Sequence, residues 1–396
     1  MHNLSLPSPC PADIQALSQS LTTVIKQAIN EARGAIPFVE FMNKALYTPG
    51  LGYYSAGLCK LGAKGDFITA PEISPLFSQC LARQCQPVLA HFNDSVILEF
   101  GAGSGSLAAE LLRELEHLNS LPRQYFILEV SADLKQQQQA TLQTRVPHLL
   151  DRVQWLETLP NQPLQGVILA NEVLDAMPVQ RFRLEEQGVS EFYVGLATPN
   201  NSPSETPYIW QALPTQNESL RVAVEALRPT LEVGYISEMN LALPAWIQSV
   251  ADILAAGMVL LIDYGFPNRE YYHPQRDQGT LMCHHRHHAH DNPLILIGLQ
   301  DITAHVDFTA VAEAALSAGL SVSGYTNQAN FLLACGLPEL LSALNPDDTK
   351  TYLQQTQQAK TLILPSEMGE LFKVMALTRH LDMPLLGFAK DDRARL

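Results

Sequence analysis

The sequence predicts an α/β protein organised around an open, doubly wound and mainly parallel sheet. Two observations carry this. From Ser95 onward, short β-branched or apolar runs alternate with helical patterns, the signature of repeated βα units. The first of these runs breaks into a glycine-rich turn that opens a helix, "ILEFGAGSGSLAAELL" over residues 97–112. Right-handed crossovers then make the doubly wound arrangement the default.

Taken in order, residues 13–46 read as helical, with Ile14, Leu17, Leu21, Val24, Ile25 and Ala28 on one stripe. The following "YTPGLGYYSAGLCKLGAKGDFITAPEISP" is too rich in Gly and Pro to form one regular element. The runs "VILEF", "YFILEV", "VQWL" and "GVILANEV" read as strands, and "SLAAELLRELEHL" and "SADLKQQQQATLQ" as the helices between them. After Pro178, "RFRLEE", "SEFYVGL" and "YIWQAL" read as antiparallel strands of an insertion, broken by the loop "ATPNNSPSETP". The sheet pattern resumes with a helix near 244–256 and the strand "MVLLIDY". A polar His-rich loop, a helix at 307–318, the short strand "LSVSGY", a helical region at about 327–360 and the closing strand "LFKVMALTRH" complete the chain.

Bulk properties narrow the function. The 396 residues, 46% of them hydrophobic, suffice for one large core or two moderate ones. A formal charge of -15 repels phosphate backbones and excludes a nucleic-acid partner, while a basic peptide or protein is easily accommodated. The six cysteines form no CxxC pairs, so the sequence suggests neither a zinc ribbon nor a disulfide framework, and a reducing compartment is expected. The longest apolar run, "ILAAGMVLLI", is a strand with its approach, too short for a bilayer span. The first residues show no signal- or transit-peptide pattern, so a cytoplasmic, non-membrane protein is expected.

A strand that enters a helix through glycines lets the backbone approach a ligand and presents unpaired N–H groups to it. Gly101, Gly103 and Gly105 follow a G-x-G-x-G spacing, and Ser106 stands at the last position of the G-x-G-x-x-G dinucleotide fingerprint. With Glu99 two residues earlier, the turn resembles motif I of the class I S-adenosylmethionine (SAM) methyltransferases. Glu129 closes the next strand, 28 residues beyond Gly101, where a carboxylate can accept both ribose hydroxyls of a nucleoside cofactor. Trp155 and Leu156 end a third strand and are candidates to flank adenine; core packing accounts for Trp155 equally well. Asn171, Glu172 and Asp175 lie past a fourth strand, at the edge where open α/β sheets bind ligands, although acidic residues also favour a helix N-terminus there.

The blocks "FMNKALYTPGLGYYS", "GDFITAPEISPLF", "LEFGAGSGSLA", "ANEVLDAMPVQRF", "LIDYG" and "DITAHVDF" together resemble the MidA-like family of SAM-dependent methyltransferases. Mitochondrial members of that family are complex I assembly factors that methylate arginine. The resemblance runs from about residue 35 to the strand near 379. It implies a Rossmann-like, class I methyltransferase fold of seven strands, the last antiparallel, with an N-terminal helical segment and insertions. The expected organisation is an N-terminal segment over 1–90 that contributes to the pocket and a methyltransferase domain over 91–385. Insertions are expected at about 179–240, 266–306 and 327–365.

The resemblance further implies SAM as cofactor, held by Glu99, Gly101, Gly103, Gly105, Glu129, Trp155, Leu156 and Asn171. Gly65, Asp66, Thr69, Pro71 and Glu72 of "GDFITAPE" would be part of the pocket. The implied substrate is an accessible arginine on a partner protein. A guanidinium arrives protonated, so carboxylates must localise its charge and free one nitrogen. Glu172 is the first candidate; Asp175 or Glu238 would complete a fork. Asp263 and Tyr264 reach the same edge, as ligand contacts or as a structural cap.

In "TLMCHHRHHAHD", Arg286, His290 and Asp291 look like family positions, whereas His284, His285, His287 and His288 look local. Adjacent histidines in a polar loop point several ways, so no metal is expected. The alternative function is a SAM-fold assembly factor or chaperone with weak or no methylation. An NAD-dependent oxidoreductase is disfavoured by Ser106.

Overall fold

The computed structural model describes residues 12–56, 69–197 and 206–396. It divides into two compact units, one of residues 68–175, 243–271 and 305–396, the other of residues 1–67, 176–242 and 272–304.

The first of these units carries the βα repeat. Its strands are β1 (Val96–Phe100), β2 (Gln124–Leu128), β3 (Val153–Leu156), β4 (Leu164–Asn171), β5 (Leu254–Phe266), β6 (Ser321–Asn327) and β7 (Phe372–Arg379). Across the sheet they run β3-β2-β1-β4-β5-β7-β6. β1 to β5 pair in parallel, while β7 is antiparallel to both β5 and β6. A two-residue strand, Val306–Asp307, adds to the end of β5.

β4 and β5 are nearly continuous apolar runs because helices cover both of their faces. Leu107, Ala108, Leu111, Leu112 and Leu115 of α2 (Ser106–His117) pack into the main core beside Ile97, Tyr125 and Ile127. α1 (Pro75–Ala90) lies against α2 and buries Phe77, Cys80, Leu81 and Val88 in the same core. The predicted helical region at 327–360 is three helices, Gln328–Ala334, Leu337–Ser342 and Thr349–Ile363, interrupted at Gly336, whose φ is +88°.

The second unit holds the three antiparallel strands expected after Pro178, now Gln180–Leu184, Val189–Leu196 and Tyr208–Pro214. Ala35–Pro37 pairs with the second of them and Ile236–Met239 with the first. The expected helix over 13–46 is therefore two helices, Ala12–Glu31 and Phe38–Tyr47, split by this short strand. Arg33 (φ +63°) and Gly34 (φ +125°) turn the chain between them, and Pro37 cannot continue a helix begun upstream. Val24 is exposed, and Ile29 completes the buried stripe of Leu21 and Ile25 instead.

The His-rich segment, expected as a loop, is a β-hairpin. His285 pairs with His288 across the two-residue turn Arg286–His287, and both turn residues have positive φ. That geometry is the type I′ turn whose twist matches paired strands. Most of "ATPNNSPSETP" lies outside the described residues.

Candidate functional site

The glycine turn follows β1. Gly101, Gly103 and Gly105 have φ of +60°, +53° and +84°, a left-handed region that side chains enter at a cost. Gly101 is exposed, and among the described residues a Cβ there would meet Val173, at 3.8 Å. Gly105 caps α2 and faces inward, since a Cβ there would come within 3.0 Å of the Cα of Gln138. Its missing side chain therefore serves the approach of a neighbouring helix, α3 (Ala132–Arg145), rather than of a ligand.

Ser104 donates to Glu72 of the short helix Ala70–Ile73, and its hydroxyl lies 2.9 Å from that of Ser106. Thr69 precedes that helix as its N-cap and is half-buried. Glu72 of "GDFITAPE" thus touches the turn, whereas Gly65 and Asp66 lie outside the described residues.

Glu99 points beneath the turn into the core at 2% exposure and accepts a 2.6 Å hydrogen bond from the Tyr125 hydroxyl. Burial pushes its carboxyl up to about 7, against the pull of Tyr125.

At the end of β2, Glu129 accepts from the Ser131 N–H at 2.8 Å and from Gln138 Nε2 at 2.9 Å. Burial holds it above the ordinary carboxylate range despite these bonds. An ionised carboxylate offers about four acceptor sites, so capacity remains for further hydroxyls. Val130, beside it, is a large apolar side chain left 76% exposed at the ligand edge. Trp155 and Leu156 end β3 half-buried, and the indole N–H donates to Gln138 Oε1 at 2.9 Å. Sequence reasoning missed Gln138. It sits in a run of four glutamines, and its only signal is its place between Leu134 and Leu142 at helical spacing.

β4 ends at Asn171, whose Nδ2 donates to Glu172 at 3.1 Å. Its Oδ1 is buried and accepts no hydrogen bond among the described residues. Buried polar atoms are nearly always partnered, so this oxygen keeps acceptor capacity for a further donor. Glu172 is half-buried and has φ +53°, a strained conformation for a non-glycine residue and one that recurs at functional sites.

The loop is strapped down by Asp263, at the end of β5. One of its oxygens accepts from the N–H groups of Val173, Leu174 and Asp175 at 3.2, 2.9 and 3.3 Å, and the other from Tyr264 at 2.9 Å. Of the two readings open for Asp263, these bonds make it a structural cap. Asp175 itself is 4% exposed.

Glu238 belongs to the other unit, where it is fully buried. It faces Arg181 at 3.5 Å and accepts from the Thr280 N–H at 2.7 Å. Arg181 also stacks on Phe192 and Trp210. These partners occupy Glu238 as the counter-charge of a half-buried arginine, a structural task that explains its place without a substrate. In the histidine hairpin, successive side chains point to opposite faces. Among the described residues no cluster of His, Cys, Asp and Glu is arranged to hold a metal.

The orphaned Asn171 oxygen, the spare acceptor capacity of Glu129 and the exposed Gly101 backbone together fit a nucleoside cofactor laid across the carboxyl ends of β1, β2 and β4. Comparison with known proteins points the same way. Residues 80–326 match a family described as "Putative S-adenosyl-L-methionine-dependent methyltransferase". Human mitochondrial protein arginine methyltransferase NDUFAF7 is 29% identical over 385 residues, which cover 88% of this chain and 81% of that protein. The Danio rerio protein of the same name is 28% identical over 372 residues, 87% of this chain and 84% of the relative. A Burkholderia thailandensis crystal structure bound to S-adenosyl-homocysteine has a TM-score of 0.92 at 41% identity, covering 98% of this chain and 99% of that one. With the family match spanning more than half of the sequence and this structural relative nearly all of it, the chain belongs to the MidA-like family of SAM-dependent methyltransferases.

Proposed function

We propose that this SAM-dependent methyltransferase modifies an arginine side chain of a partner protein. The observation that carries the reading is Glu172, a half-buried carboxylate held at positive φ past β4 on a loop that Asp263 fixes through three backbone N–H groups. The names of the curated relatives, protein arginine methyltransferases, supply the substrate class.

When bound, SAM supplies an electrophilic methyl group on a sulfonium. The chain's own residues bind and orient. Gly101 and Gly103 let the backbone come close to the ligand, Glu129 accepts the ribose hydroxyls, and Val130, Trp155 and Leu156 offer apolar surface to adenine. Asn171 Oδ1 takes a donor from the ligand. Glu172 pairs with the guanidinium, localises its charge and leaves one nitrogen directed at the methyl group, the proton displaced from that nitrogen passing to solvent; Asp175 is the second carboxylate of the same loop.

The test uses SAM labelled on its methyl group, the full-length protein and an extract containing basic proteins, with acid hydrolysis to identify the labelled amino acid. Labelled methylarginine is expected with the wild type and at least about a hundredfold less with Glu172→Gln, whose affinity for S-adenosyl-homocysteine is unchanged. Label on another amino acid would overturn the arginine assignment. No transfer by a wild type that binds S-adenosyl-homocysteine would support an assembly factor instead.

A further inference from the structure

We propose that Gln138 is the positioning residue of the cofactor site, a single amide that sets the glycine turn, the ribose-binding carboxylate and the indole beside adenine relative to one another. This rests on the reading of Glu129 as the ribose ligand.

Residues 136–139 are all glutamine, on a helix whose sequence is mostly polar. Three of the four are exposed, as expected of solvated side chains, but Gln138 is completely buried. An amide withdrawn from water is tolerated only when its hydrogen bonds are replaced. Here they are replaced almost to capacity. Nε2 donates one hydrogen to the Gly103 carbonyl at 3.0 Å and one to Glu129 Oε2 at 2.9 Å, and Oε1 accepts from Trp155 Nε1 at 2.9 Å.

The chemistry of the partners fixes which way the amide faces. A carbonyl and a carboxylate require the NH2 group, and an indole N–H requires the oxygen, so the flipped amide would lose all three bonds. The backbone of α3 is also pressed onto the turn at this point. A Cβ at Gly105 would lie 3.0 Å from Gln138 Cα and 3.3 Å from its carbonyl oxygen. The side chain therefore has little freedom to relax, and its three partners come from the ends of three adjacent strands, β1, β2 and β3. None of the other glutamines in the run could substitute, because a shift of one residue turns the side chain by about 100° around the helix.

A residue that merely fills space would affect folding and every ligand alike. A residue that aims Glu129 affects the part of the affinity that comes from the ribose hydroxyls. The experiment is calorimetric titration of wild type and Gln138→Met with S-adenosyl-homocysteine and with its 2′,3′-dideoxy analogue, alongside thermal melting of each protein. Wild type is expected to prefer the hydroxylated ligand by about tenfold or more, and Gln138→Met to lose most of that preference, beyond any weakening it shows toward both ligands alike.

If wild type shows the preference and the folded variant retains it, Gln138 has only a structural role and the proposal fails. If wild type itself lacks the preference, the Glu129 reading is the one that has failed, and the proposal falls with it. Gln138→Glu keeps the length of the side chain and the acceptor for Trp155, but turns a carboxylate toward Glu129. It is expected to lose the same preference and decides the matter should the methionine variant not fold.

Discussion

Glu99 allows a quantitative check, because its carboxyl is buried with a single hydroxyl partner among the described residues, Tyr125. Burial lifts it from an ordinary 4.5 to about 7 in the folded chain. A carboxyl that binds its proton more tightly when folded stabilises the fold fully below the unfolded value, and that contribution is lost as pH rises through the folded one. Stability should therefore fall between pH 4.5 and pH 7 and level off above. At roughly 1.4 kcal/mol per pH unit, the rise corresponds to about 3 kcal/mol.

Glu99→Gln removes the titration while keeping the shape of the side chain and an acceptor for the Tyr125 hydroxyl. Urea unfolding of wild type and variant, followed at pH 4.5 and pH 8, isolates this group from every other titration by difference. The expected result is a change of about 3 kcal/mol in the stability difference between the two proteins, with wild type losing relative ground at the higher pH. Parallel pH profiles would refute the reasoning. They would mean that water reaches the carboxyl or that Tyr125 stabilises its charged form as well as bulk solvent does.

Gly103→Val, placed at φ +53° in the turn, is expected to abolish binding of S-adenosyl-homocysteine in calorimetry. Gly105→Ala meets both a φ of +84° and a Gln138 Cα at 3.0 Å, so a loss of about 2 kcal/mol or more in chemical denaturation is expected, compounded by weaker ligand binding. Asp263→Asn turns an NH2 group toward a backbone N–H that now has an acceptor. It should slow methyl transfer by about tenfold or more while leaving S-adenosyl-homocysteine affinity within about threefold, as measured by initial rates and calorimetry.

The parallel strands were legible because burial on both faces leaves an unmistakable mark. "GVILAN" and "MVLLI" have no polar face, and such runs between helical patterns admit few other interpretations. The glycine turn was legible because steric demand at positive φ selects one residue type. Where the physical cause is non-local, the sequence is silent. The helix expected over 13–46 breaks because Ala35–Pro37 pairs with Tyr193–Gly195, far along the chain, and nothing in the local pattern announces that partner. The histidine hairpin hides for a related reason. Its turn uses Arg286 and His287 where Asn-Gly would have signalled it, so a type I′ geometry is imposed by the flanking pairing rather than by turn chemistry.

The site divides along the same line. A carboxylate at the end of a strand can be found from its register, as Glu129 and Glu172 were, but register does not reveal what a carboxylate faces. Glu238 and Glu172 are both candidate acids in the sequence, yet one meets a half-buried arginine and the other stands half-buried on a strained loop. Their difference comes from Arg181, Phe192 and Trp210 on one side and from Asp263 on the other. Likewise, the four glutamines of α3 are chemically identical, and only the helix phase set by Leu134 and Leu142 makes one of them interior. Residues that bind a ligand are constrained by the ligand's chemistry and so share a recognisable pattern. Residues that hold those residues in place are constrained only by what they touch. Gln138 and Asp263 are of the second kind, which is why three-dimensional contacts rather than motifs reveal them, and why their substitution should alter ligand preference and turnover separately from each other.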